Sequence, residues 1–143
     1  MSDFLNSVTP LQINDPQVSP TTDADDFARD LALTAARAAD ERKGGDIRVL
    51  KVTDVSYLAD YFVVITGFSS VQVRAIARTI EEAIEAELNR EPLRTEGQLE
   101  GSWVLQDYGD VIVHIFMPEA REYYNLEAFW GHAEVITFSA EGK

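Results

Sequence analysis

The run Tyr61–Thr66, YFVVIT, constrains this chain more than any other stretch. It is apolar on both faces when extended, so water must be excluded from both sides. Such a strand belongs in the middle of a sheet, with other elements packed above and below it. Gly67 ends the run. The rest of the chain must therefore provide neighbouring strands and two covering layers. With 143 residues, 45% of them hydrophobic, there is enough material for one domain with a real core.

The flanking segments fit that demand. Asp23, Asp25 and Asp26 follow a Thr21 or Thr22 cap, where the positive end of a helix dipole favours acids. Phe27, Leu31, Ala35 and Ala38 then recur at helical spacing, and Gly44-Gly45 marks the stop. This predicts a helix over about 23–43, with Arg42 and Lys43 in its last turn. Residues 46–53, DIRVLKVT, read as a strand. Ser69 or Ser70 caps a second helix with Val73, Ile76, Ala77, Ile80, Ile84 and Leu88 as its buried stripe, closed off by Pro92. Residues 93–101 are turn-rich, with room for a short edge strand. A strand from Trp103, a turn at Tyr108-Gly109-Asp110 and a strand over 111–116 form a hairpin. Period-two alternation puts Ile112, His114 and Phe116 on one face and Val111, Val113 and Ile115 on the other. One or two short helices over 119–130, then a last short strand or an apolar tail over 134–138, complete the order. The expected fold is a single α/β domain, a mixed sheet with helices on both faces. It spans 22–138, after a disordered arm over 1–21 rich in Pro, Ser, Thr and Asn, and before a tail over 139–143.

Charge narrows the partners. Twelve basic residues stand against twenty-five acidic ones, a net charge of −13. Gripping phosphates needs clustered Lys and Arg, so little direct nucleic-acid binding is expected. An acidic surface suits a basic partner or simply keeps the chain soluble. No run of about 18 apolar residues offers a membrane span. The start, MSDFLNSVTP, has neither the basic nor the apolar region of a secretory signal. The chain has no cysteine, which suits a reducing cytosol and a cytoplasmic location.

Chemistry is sparse. There is no thiol and no serine in a nucleophile elbow. The string Thr66-Gly67-Phe68-Ser69-Ser70 follows a strand and opens a helix, where free amides can hold a phosphate. It has one glycine and no following lysine, so a turn with serine caps is the plainer reading. His114 and His132 have no partner at metal-ligand spacing, and His114 sits inside a strand as a structural histidine would. Asp54 and Asp60 bracket one loop, Asp107 and Asp110 the hairpin turn. None of them forms the closely spaced strand pair that bridges two metals. No enzyme, cofactor or metal site is expected.

Aromatic residues concentrate instead. Seven of the fourteen Phe, Trp and Tyr fall between Trp103 and Trp130. Single rings mostly serve a core. Tyr123-Tyr124 in tandem, close to Arg121 and Trp130, has the composition of an interface hot spot.

The residues VLQDYGDVIVHIF (104–116), then PEAREYYNLE (118–127) and Trp130, closely resemble the ribosomal silencing factor family, also called Iojap or RsfS. Asp60–Gly67, Ser69-Ser70, Gln72, Ala75–Ala77, Glu96-Gly97 and Gly101–Trp103 agree with the same pattern, over about 24–136. The family usually has Asp where Asn125 stands. The resemblance implies a nucleotidyltransferase-like shape without the catalytic residues. It further implies binding to the large ribosomal subunit through its ribosomal protein fourteen, and a steric block to subunit joining that represses translation. Homodimers are known in the family, and organellar relatives act in large-subunit assembly. By position, Trp103, Tyr108, Tyr124, Asn125 and Leu126 match family residues associated with the partner contact; composition adds Arg121 and Trp130. Gly109 and Asp110 read as turn-makers that hold this face in register. The alternative is a nucleotide-binding or nucleotidyltransferase-like enzyme using the turn at 66–70.

Overall fold

A computed structural model describes residues 23–53, 59–129 and 131–138. The expected arm and tail, Asp54 and Trp130 lie outside them. Among the described residues ten elements follow in order: α1 (Asp23–Glu41), β1 (Gly45–Lys51), β2 (Tyr61–Thr66), α2 (Ser70–Leu88), β3 (Arg94–Glu96), β4 (Trp103–Asp107), β5 (Val111–Phe116), α3 (Pro118–Tyr124), α4 (Leu126–Phe129) and β6 (Glu134–Ile136).

The six strands form one mixed sheet in the order β3-β4-β5-β2-β1-β6. Only β2 and β5 run parallel, Tyr61 beside Val111 through Thr66 beside Phe116. The other four pairings are antiparallel. All six residues of β2 are buried, as its two-sided apolarity demands.

The two faces are covered unequally. The long helices α1 and α2 lie on the first. There Leu31, Ala35, Ile76, Ile80 and Ile84 meet Val63, Ile65, Val104, Val113 and Ile115. Each fully buried Ile is worth about 1.5–3 kcal/mol. Small alanines on α1 let it approach α2 and the sheet closely. On the second face Leu50, Phe62, Val64 and Phe116 form a smaller cluster, against which Trp103, Ile112, Ala120 and Leu126 pack. Ala120 and Leu126 belong to α3 and α4, so short helices shield what the long ones leave open.

Local details sharpen the expected boundaries. Helix α1 ends at Glu41, so Arg42 and Lys43 lie just past it. Lys43 itself takes the left-handed conformation (φ 64), and the Gly44 amide returns to the Ala39 carbonyl at 2.8 Å. Helix α2 stops at a left-handed Asn89, three residues before Pro92. The hairpin turn is set by Gly109 at φ 93, whose amide donates to Asp107 Oδ1 at 2.8 Å. Asp110 then pairs with Arg90 at 3.0 Å and accepts the Asp60 and Tyr61 amides through its carbonyl, pinning the turn to β2.

Candidate functional site

The second face carries a contiguous group of rings, assembled by strand register. Trp103 pairs with Phe116 across β4 and β5, and Leu105 with His114. On the same face, His114 is therefore the diagonal neighbour of Trp103. The Trp103 ring lies 4.9 Å from Phe116, 5.9 Å from His114 and 4.5 Å from Tyr124, centroid to centroid. Tyr123 packs edge-on against Tyr124 at 5.0 Å. The group runs from buried Phe62, His114 and Phe116, through half-buried Trp103, to exposed Tyr124 (49%) and Tyr123 (81%).

Helix α3 brings the outer rings into place. Pro118 opens it and a left-handed Asn125 (φ 46) closes it, the Asn125 amide bonding the Arg121 carbonyl. Asn tolerates this conformation better than most residues. The Asn125 side chain is exposed, and Leu126 is half-buried against the second cluster. Glu119 and Glu122 are exposed on the same short helix as the tyrosines, so this edge of the face is acidic. Trp103, Tyr124, Asn125 and Leu126 therefore come together here, while Trp130 lies outside the described residues.

Two expected contact residues are placed elsewhere. Tyr108 is only 1% exposed and sits in the first-face core with Val104. Burial pushes its phenol pKa up, and its hydroxyl has no hydrogen-bond partner among the described residues. It supports the hairpin from beneath and presents nothing to a partner. Arg121 is 8% exposed. Its guanidinium donates to Thr66 Oγ1 at 2.8 Å, pairs with Glu127, and reaches Asp46 at 3.4 Å. It clamps α3 and α4 to the ends of β1 and β2 and leaves no free fork for a partner.

The helix start at 66–70 satisfies itself. Ser69 Oγ accepts the Gln72 amide at 3.0 Å, and the Phe68 amide donates to Gln72 Oε1 at 2.7 Å. Gln72 Nε2 in turn donates to the carbonyls of Arg42 and Lys43. These groups cap α2 and clasp it to the end of α1, so they are not the open cradle a phosphate needs. Among the described residues, no group of three or more His, Asp or Glu could hold a metal ion. Among the described residues, no helix is long and apolar enough to cross a membrane either.

Sequence reasoning placed His114 on the correct face but missed its contacts. Trp103 Nε1–H donates to His114 Nδ1 at 3.2 Å. His114 is 5% exposed, and its Nε2 is without a hydrogen-bond partner among the described residues. Burial lowers its pKa from the ordinary 6.5 to about 4. The folded chain keeps the ring neutral where the unfolded chain already binds a proton. Stability from this group is thus complete above about pH 6.5, declines as pH falls, and is gone below about pH 4. The loss amounts to at most about 3 kcal/mol. Urea midpoints measured across this window should fall with pH, and His114→Phe should flatten that part of the curve.

Comparison with known proteins extends this picture. Residues 25–143 match the family described as ribosomal silencing factor during starvation. The chain is 44% identical over 99 residues to the ribosomal silencing factor RsfS of Bacillus subtilis, covering 69% of this chain and 83% of that protein. It is 41% identical over 119 residues to the chloroplastic Iojap protein of Zea mays, covering 82% of this chain and 51% of that one. The match thus spans about half the length of its plant relatives. A crystal structure of a Chromobacterium violaceum protein superposes with a TM-score of 0.70 at 34% identity, covering 79% of this chain and 92% of that one.

Proposed function

The chain belongs to the ribosomal silencing factor family, and from that premise we propose that it binds the large ribosomal subunit through ribosomal protein fourteen. Members of this family are regulatory proteins rather than enzymes. Bound on the face that meets the small subunit, a body of this size excludes the other subunit sterically and lowers translation. No chemistry is needed. The chain then works in the cytoplasm, where its ribosomes are.

The observation that carries this reading is the Trp103–Tyr124 ring pair. It packs on Phe116 from below and is partly exposed above, and its Tyr124 shares α3 with the exposed Glu119 and Glu122. Aromatic anchors supply contact area at low entropy cost, and acids beside them suit a basic protein while repelling the surrounding RNA. Asn125 and Leu126 extend the same surface. Homodimerisation is a second association consistent with the family.

Equilibrium binding to isolated ribosomal protein fourteen tests the assignment. Tyr124→Ala should weaken it by about 1–3 kcal/mol, because an exposed ring is lost at the centre of the contact. Its urea midpoint should stay close to that of the unaltered chain, since half of the ring already meets water. Full binding by the folded variant would remove Tyr124 from the contact.

A further inference from the structure

We infer that His114 is a positioning residue of this contact face: its Nδ1 accepts the indole N–H of Trp103 and fixes the plane that Trp103 offers to the partner. This rests on the proposed contact with ribosomal protein fourteen. It concerns a residue that is itself buried.

The surroundings of His114 are those of a core phenylalanine. Phe62 meets it edge-on at 5.1 Å, and Phe116 lies nearly parallel to it (7°) at 5.9 Å. A phenyl ring would suit this site better, because a buried nitrogen without a partner costs stability that packing alone does not return. His114 has such a nitrogen in Nε2. The compensating feature is on the other side of the ring. The indole is a donor only, so Nδ1 must be the acceptor and the ring proton resides on Nε2. Low basicity in this buried site keeps Nδ1 free to accept at neutral pH.

The bond matters because Trp103 is partly exposed. Its indole could otherwise swing to give the N–H to water. Tethered, it keeps one face on Phe116 and meets Tyr124 at 4.5 Å. Orientation therefore passes from His114 to Trp103 and on to Tyr124, the exposed ring of the pair. The strand register that sets His114 diagonal to Trp103 makes this an arrangement built into the hairpin.

The test uses the full chain carrying His114→Phe or His114→Asn. Phenylalanine fills the space without an acceptor; asparagine returns an oxygen near the place of Nδ1. Two readouts are taken: solvent exchange of the Trp103 indole N–H by NMR, its signal assigned by loss in Trp103→Phe, and affinity for purified large subunits. His114→Phe should fold, lose protection of the indole proton, and bind about tenfold more weakly. His114→Asn should restore slow exchange and recover affinity to within about threefold. A folded His114→Phe chain with undiminished affinity overturns the inference, whatever its indole exchange. So does an Asn variant that protects the proton yet binds no better than the Phe variant. If the unaltered chain binds no subunit, it is the ribosomal reading that fails. The exchange comparison still decides whether His114 holds the indole: slow exchange surviving in His114→Phe overturns that claim.

Discussion

Replacing Gly97 with alanine is expected to remove about 2–5 kcal/mol of folding free energy and to disrupt the contact face with it. Gly97 lies in the connection between β3 and β4 with φ 87, a backbone region that side chains rarely tolerate. A Cβ there would stand 2.0 Å from the Trp103 carbonyl oxygen. That neighbour is backbone, so no rotamer change relieves the overlap. Either the β3–β4 connection opens or Trp103 shifts at the start of its strand. The ring group hangs on Trp103, so weaker partner binding should accompany the lower urea midpoint. An unchanged midpoint would mean that the connection relaxes freely and does not set the position of Trp103.

The other large effect is expected at Arg121. Replacing it with methionine keeps much of the volume and removes the charge. Glu127 then loses its partner in a partly buried site, and buried Thr66 loses the donor to its hydroxyl. Breaking a buried pair from one side typically costs about 3–5 kcal/mol. Asp46 and Glu127 are partly solvated, 55% and 24% exposed, so about 2–4 kcal/mol is expected here. The loss should be local at first: α3 and α4 undock from the ends of β1 and β2. Hydrogen exchange should accelerate over 118–129 before it does in β2 or β5. Arg121→Lys should recover only part of the loss, because an ammonium cannot reproduce the guanidinium fork. Uniform exchange across the domain would show that Arg121 does not act as a local clamp.

Much of the fold was legible because periodicity is a local property. The two-sided run at 61–66, the 3.6-residue stripe from Val73 to Ile84 and the hairpin turn at Gly109 each state their own geometry. The burial of Tyr108 was legible too. Val104, Gln106 and Tyr108 share one parity along the strand, and that parity leads to the helix-covered face. Its place in the contact came from the family resemblance, not from this alternation. Arg121 is different. Its depth depends on Thr66, 55 residues away in sequence, and on two carboxylates brought together only by folding. An arginine in a short exposed helix reads as a surface fork, and no local signal says otherwise. The His114–Trp103 bond falls between these cases. The face was readable from alternation, but the diagonal meeting needed the strand register, which the turn sets. The clasp by Gln72 joins the end of one helix to the start of the next and had no signature in spacing.

Sedimentation of the full chain with purified ribosomal subunits bears most directly on the central claim, that this domain presents a surface and performs no reaction. The chain should travel with the large subunit and not with the small one. In excess it should reduce the joined-ribosome peak when both subunits are mixed, and Tyr124→Ala should weaken both effects together. A chain that stays at the top of the gradient while the subunits join normally would contradict the account.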